Sequence, residues 1–211
     1  MDAPKAADPS RSSYYVNDAL YRELIANFTD WQDDARAVTD AAIRDEFRCL
    51  VEREARLLDR LKYDDWLAMY AAECLYWVPS TPNAGDPRRE IAVMFDDRRR
   101  LEDRVYRLRT GFAWSQAPQS RTVRLITNVE VFATAGDDTH MLRSNFLISE
   151  FWDKETRILS GWAGHRVVRS GAGAGAYSAV LDGARLRRRV VPAAPAAHAR
   201  RAHLRVCRAG K

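Results

Sequence analysis

The chain has 211 residues, of which 46% are apolar and 30% charged, enough to bury one substantial core in a single folded domain. No run approaches the roughly 18 apolar residues of a membrane span, and the opening MDAPKAADPSRSS lacks the charged-then-apolar layout of a secretory signal, which predicts a cytoplasmic protein with no membrane contact. The formal net charge of +5 is unevenly spread: residues 171–211 carry eight Arg and one Lys against Asp182 alone, a net of +8, so residues 1–170 carry −3 and no nucleic-acid partner is expected.

Residues 1–13 are rich in Pro, Ser, Ala and Asp and read as disordered. Residues 14–39 form a helical N-terminal segment, because Leu20, Leu24 and Phe28 recur at helical spacing between Val16 and Trp31. Thr39 or Asp40 can cap the next helix, in which Ile43, Phe47, Leu50, Ala55, Leu58 and Leu61 keep one face apolar. A short helix is predicted over Asp64–Ala71. Strands follow at Leu75–Pro79 and Glu90–Phe95, separated by the turn-rich residues 80–87. Then Leu101, Val105 and Leu108 line one face of a basic helix whose Arg98, Arg99, Arg104 and Arg107 fall elsewhere around it. Gly111 stops that helix, and Pro118 and Ser120 keep the chain irregular until Arg121 opens a strand.

Three long strands are expected near Arg121–Ala133, His140–Trp152 and Arg157–Val168, parted by Ala135–Asp138 and Asp153–Thr156 where hairpin turns belong. Helices first and a meander later give an α+β domain over residues 40–171, with the N-terminal helices packed on a curved, mostly antiparallel sheet. Residues 172–211 differ in kind. From 171 onward the sequence holds twelve Ala and five Gly and no Ile, Phe or Trp, so it should be largely disordered or locally helical. Its Ala/Arg/Gly/Pro-rich composition is that of a shifted reading frame in a GC-rich gene, which we favour over a genuinely divergent tail.

Several motifs keep their order and spacing along this framework. Phe47 is followed by Glu52-Arg53-Glu54-Ala55-Arg56-Leu57-Leu58-Asp59, then Tyr63-Asp64-x-Trp66-Leu67 and Tyr76-Trp77-Val78-Pro79. Further on come Arg104-Val105-x-Arg107-Leu108-x-Thr110-Gly111-x-x-Trp114, Pro118-x-Ser120-Arg121 and Asn128-Val129-x-Val131. From about Asp40 to Gly171 the chain thereby resembles the small (beta) subunit of Rieske-type aromatic-ring-hydroxylating dioxygenases. The resemblance implies a cone-shaped fold like those of nuclear transport factor and ketosteroid isomerase. It also implies an assembly subunit in an NAD(P)H-dependent oxygenase, with a large (alpha) subunit as partner in a three-plus-three hetero-hexamer and electrons arriving from a reductase through a ferredoxin. In that family a further strand completes the sheet after the counterpart of Ser160-Gly161-Trp162-x-Gly164-x-Arg166. This chain departs from the pattern just after Gly171, with residues 176–186 as a poor substitute strand.

No cofactor is expected in this chain. Cys49, Cys74 and Cys207 lie far apart and read as buried free thiols rather than disulfide or cluster ligands. The histidines, His140, His165, His198 and His203, do not combine with cysteines or carboxylates in an iron-binding pattern. The resemblance puts the Rieske 2Fe–2S cluster and the mononuclear Fe(II) in the large subunit. Accordingly no catalytic or metal-binding residue is expected here, and Arg104, Arg107, Arg109, Trp114, Arg121 and Arg124 are the candidates for a subunit interface, combining planar donors with an aromatic anchor. The alternative is a stand-alone cone-fold isomerase, dehydratase or hydrolase with an internal acid/base pocket, for which Asp65, Tyr70, Tyr76, Glu150 and His165 would be the lining. Against it, Asp65 suits a helix N-terminus and the two tyrosines suit a core.

Overall fold

The structure, a computed structural model, describes residues 17–80, 91–111, 113, 116–136 and 138–170, and the backbone of 173–182 and 189–191. The disorder expected of residues 1–13 and the position of Trp114 lie outside the described residues. Helix α1 spans Asp18–Phe28, capped by the Asn17 side chain, which accepts from the Leu20 N–H at 2.9 Å. Helix α2 spans Ala41–Asp59, and Asp40 rather than Thr39 caps it, through the Ile43 N–H at 2.9 Å. Helix α3 is Tyr63–Leu67, shorter than the spacing predicts, and strand β1 begins at Tyr70 and runs to Pro79. The reason is Arg98, whose Nη1 donates to the carbonyls of Leu67 at 3.0 Å and Tyr70 at 2.8 Å and so draws the chain out of the helix.

Strand β2, Ala92–Asp97, leads into the basic helix α4, Arg98–Thr110. Asp97 caps it through the Arg100 N–H at 2.9 Å, and Gly111 ends it with φ 80, a left-handed conformation that glycine adopts without strain. Strands β3 (Arg121–Ala133), β4 (Thr139–Trp152) and β5 (Glu155–Ser170) form the expected meander. Asp153 and Lys154 both take positive φ, so the β4–β5 connection is a tight two-residue turn between paired Trp152 and Glu155.

The sheet order is β2-β1-β6-β5-β4-β3, where β6 is Gly173–Asp182, and a short β7, Arg189–Val191, pairs with the start of β5. All pairings are antiparallel except β1 with β6, which is parallel. The disorder or local helix expected from residue 172 is therefore corrected for these two segments, whose backbones are strands; β6 overlaps the substitute strand expected over residues 176–186 but begins and ends earlier. Strand β6 fills the slot between β1 and β5, so its conformation is set by partners on both sides rather than by its own Ala/Gly-rich pattern.

Alternation along β1 divides the core in two. Cys74 joins Phe47, Leu50, Val51, Trp66, Leu101, Val105, Val131, Leu142 and Val167 in the main core between the sheet and α2–α4. Leu75 and Trp77 point to the other face, where they pack on Leu20 and Leu24 of α1. The N-terminal segment is thus a second layer on the outside of the sheet. It is anchored by Trp31 against Phe132 and Met141, and by an ion pair between Glu23 and Arg166. Gly164 makes room for it: a Cβ there would lie 3.1 Å from Phe28 and 3.2 Å from Trp31. Cys49 is exposed on α2, correcting the reading of it as buried, whereas Cys74 is buried and its thiol is pushed up to about 12 by desolvation. No described helix is long and apolar enough to cross a membrane.

Gly164→Val should strain this packing and lift α1 off the sheet at a cost of about 1–3 kcal/mol. Urea unfolding monitored by tryptophan fluorescence checks it, and an unchanged midpoint would contradict the close approach.

Candidate functional site

Glu54 sits on α2 one turn beyond Leu50 and so points with the apolar face into the cone, its side chain only 12% exposed. Its Oε1 accepts from the Trp66 indole N–H at 3.0 Å and from the Tyr70 hydroxyl at 2.9 Å. Its Oε2 lies 3.3 Å from His165 Nε2 on β5. Four polar side chains from α2, α3, β1 and β5 thus meet in an otherwise apolar interior. Burial pushes the Glu54 carboxyl up, but the bonds and charge of His165 with the donors Trp66 and Tyr70 outweigh it, and the group titrates below its ordinary value of 4.5.

Beside this cluster lies a chamber of about 90 Å³, walled by aliphatic and aromatic side chains that include Val51, Leu58, Ile126 and Phe146, with Glu54, Tyr76, Arg124, Ser144 and His165 as its polar lining. Arg124 and Leu58 also line a wider cleft of about 410 Å³, which carries Arg104, Arg107 and Glu150. Of the five residues considered for an internal pocket, Tyr70, Tyr76 and His165 converge around Glu54. Glu150 stands in the outer cleft, and Asp65 is exposed in the first turn of α3. Sequence reasoning missed Glu54. The signal was present, since position 54 continues the 43, 47, 50 register of buried residues and only its charge argued for solvent.

The arginines divide into two kinds. Arg104 makes two bonds to the buried carboxylate of Asp96, at 2.8 and 2.5 Å. Arg124 binds Asp59 Oδ1 at 2.5 Å while its own N–H donates to Asp59 Oδ2 at 2.9 Å, which clamps the end of α2 to β3. Both are turned inward. Arg107, Arg109 and Arg121 are exposed: Arg107 donates to the Asp103 carbonyl at 3.3 Å, Arg109 reaches Asp64 at 3.3 Å, and Arg121 lies 4.9 Å above the Phe151 ring. Around Arg121 the outer face of β3 and β4 is left uncovered by the other described residues. Val123 and Leu125 are 61% and 56% exposed, and the pairs Leu125–Leu147 and Arg121–Phe151 face each other across the strands. Among the described residues, no group of three His, Cys, Asp or Glu is placed to hold a metal ion.

His140 on β4 is buried against the Phe47 ring, 4.9 Å between centroids, and its Nδ1 has no hydrogen-bond partner among the described residues. Desolvation, together with the nearby Arg169 cation, holds its pKa below the ordinary 6.5 against the opposing pull of Glu46 and Asp138.

Comparison with known proteins gives a consistent picture. The family model described as the ring hydroxylating beta subunit matches residues 53–179. The chain is 42% identical over 84 residues to the 2-halobenzoate 1,2-dioxygenase small subunit of Burkholderia cepacia, covering 37% of this chain and 51% of that protein. Its alignments span between 51% and 64% of the length of the curated relatives it matches. Among solved structures, the beta subunit of benzoate 1,2-dioxygenase from Burkholderia mallei is 29% identical with a TM-score of 0.56, over 69% of this chain and 90% of that one. A naphthalene 1,2-dioxygenase chain shares the fold at 23% identity and a TM-score of 0.63, over 80% of this chain and 92% of that chain.

Both Glu54 and His140 have folded pKa values below those of the unfolded chain, so each contributes stability that is full above its ordinary value and lost as pH falls through the folded one. Acidification should weaken the fold from 6.5 downward through His140 and from 4.5 downward through Glu54. His140→Phe should remove the first loss and Glu54→Gln part of the second, read from urea midpoints between about pH 8 and about pH 4. At neutral pH Glu54→Ala should cost roughly 3–5 kcal/mol, because it leaves His165, Trp66 and Tyr70 facing an emptied site.

Proposed function

We propose that this chain, which belongs to the ring hydroxylating beta subunit family, is the assembly subunit of a multicomponent aromatic-ring-hydroxylating dioxygenase in the cytoplasm. It holds a large subunit that carries a Rieske 2Fe–2S cluster and a mononuclear Fe(II), and it takes no catalytic part itself. Three such chains associate with three large subunits. Electrons reach the large subunit from NAD(P)H through a reductase and a ferredoxin, for dioxygen-dependent dihydroxylation of an aromatic compound.

The observation that carries this reading is the bare apolar face on β3 and β4. A strand at the edge of a sheet with Val123 and Leu125 more than half exposed, facing Leu147 and Phe151, is a liability in an isolated protein and an asset in an interface. Arg121 over Phe151 adds a planar donor and an aromatic ring, residue types enriched where subunits meet. Arg107, Arg109 and Trp114 are further interface candidates in this proposal; the two arginines belong to α4, which packs on the opposite face of the sheet, so they would meet the partner apart from Arg121. Arg104 and Arg124 act behind them by holding α4 and β3 in place through Asp96 and Asp59.

Co-expression with an adjacent reading frame bearing paired Cys-x-His and Cys-x-x-His motifs should give a co-eluting complex in size-exclusion chromatography, with the iron following the large subunit. Leu125→Asp should weaken association by about tenfold or more, and Arg121→Glu by less, as expected for apolar and rim positions of an interface. Unchanged co-elution of both variants would count against this face, and stoichiometric iron in the isolated chain against the reading as a whole.

A further inference from the structure

The chamber inside the cone is more elaborately built than packing requires. A buried carboxylate with its hydrogen-bonding partners is replaceable by apolar side chains at little or no loss of stability. Here the interior instead keeps a polar end, Glu54, Tyr76, Ser144 and His165, on a hollow whose other walls are apolar apart from Arg124, which is paired with Asp59. An apolar cavity with a few convergent polar groups is the ordinary form of a small-molecule site.

The chemistry of the guest follows from the remaining accepting capacity of Glu54. Glu54 Oε1 already accepts two hydrogen bonds, whereas Oε2 has His165 at 3.3 Å, longer than the 2.7–2.9 Å of a tight charge-assisted bond. A carboxylate oxygen carries two lone pairs, so Oε2 retains room for a further donor. A second anion beside an ionised carboxylate would be repelled, and the Arg124 guanidinium in the lining is already paired with Asp59, so the fitting guest is neutral and donates. The apolar wall asks for a hydrocarbon body. The chamber's 90 Å³ is below the roughly 150 Å³ of a cavity that takes benzene. Leu58 and Arg124 line both this chamber and the outer cleft, so the two hollows adjoin there, and the guest's ring would reach past these two side chains toward the cleft.

We propose that this chamber is a binding site for a small neutral phenol, with its hydroxyl donated to Glu54 and its ring held between Leu58, Ile126 and Ile148 beside Arg124. The site is independent of the apolar outer face, so its failure leaves the assembly reading untouched.

Phenol, toluene and benzoate are titrated into the full-length chain, with binding followed by ligand-observed NMR and by the Ile126 and Ile148 methyl resonances of a methyl-labelled sample. Phenol should bind saturably and shift both methyls. Toluene, which lacks the donor, and benzoate, which is anionic, should bind about tenfold or more weakly, the loss expected for one hydrogen bond to a charged group. Ala163→Leu fills the chamber without touching the bonds of Glu54 and should abolish phenol binding. Toluene binding as tightly as phenol, phenol binding unaffected by Ala163→Leu, or no saturable shift of the two isoleucine methyls in the wild-type chain would each overturn the proposal. The methyl shifts decide the matter by themselves if Ala163→Leu does not fold.

Discussion

The carboxylate of Glu54 is the constraint around which the interior is arranged. A charge placed on the apolar face of α2 cannot be left without partners in a low dielectric, so the fold brings it an indole, a phenol and an imidazole from three other elements. Each of those partners is fixed in turn. Trp66 and Tyr70 sit at the α3–β1 junction that Arg98 holds through two carbonyls, and His165 lies on the strand that pairs with both β4 and β6. The position of α2 above the sheet is therefore specified by directional bonds as well as by packing, and its helix end is clamped a second time by Asp59 and Arg124. With α2 held at both places, the space between them remains a chamber and does not collapse onto the sheet.

Where local chemistry alone decides conformation, the sequence was legible. Asp40 and Gly111 mark helix boundaries because a side-chain acceptor or a left-handed residue is needed there whatever the rest of the chain does. The long meander follows from apolar alternation interrupted by polar turns. The shift of β1 to Tyr70 was not legible, since it depends on an arginine 28 residues away. Strand β6 was legible only in part: residues 176–186 read as a poor substitute strand, but an Ala/Gly-rich segment has no side-chain pattern to fix its bounds, and the slot between β1 and β5 is what makes Gly173–Asp182 a strand. Glu54 escaped because periodicity arguments assign charge to solvent, and a single buried carboxylate looks like noise in an apolar register.

The arginines make the same point about charge. Read along the sequence, α4 and β3 present one basic surface, yet in three dimensions Arg98, Arg104 and Arg124 are each committed to carbonyls or carboxylates of the protein's own framework. Such inward bonds, partly desolvated and in part bidentate, fix the geometry of the scaffold and contribute little to the field outside it. What distinguishes the surface is then apolar area.

That area is distributed unevenly for a structural reason. The outer face of the sheet is covered by α1 and Trp31 where Gly164 allows close approach, from β1 across β5 to the near ends of β3 and β4. Beyond the reach of that layer the same face emerges with Val123, Leu125, Leu147 and Phe151 on it. A sheet protected by its own helix over one part and left apolar over the rest divides its outer surface into a part that completes the monomer and a part suited to another chain.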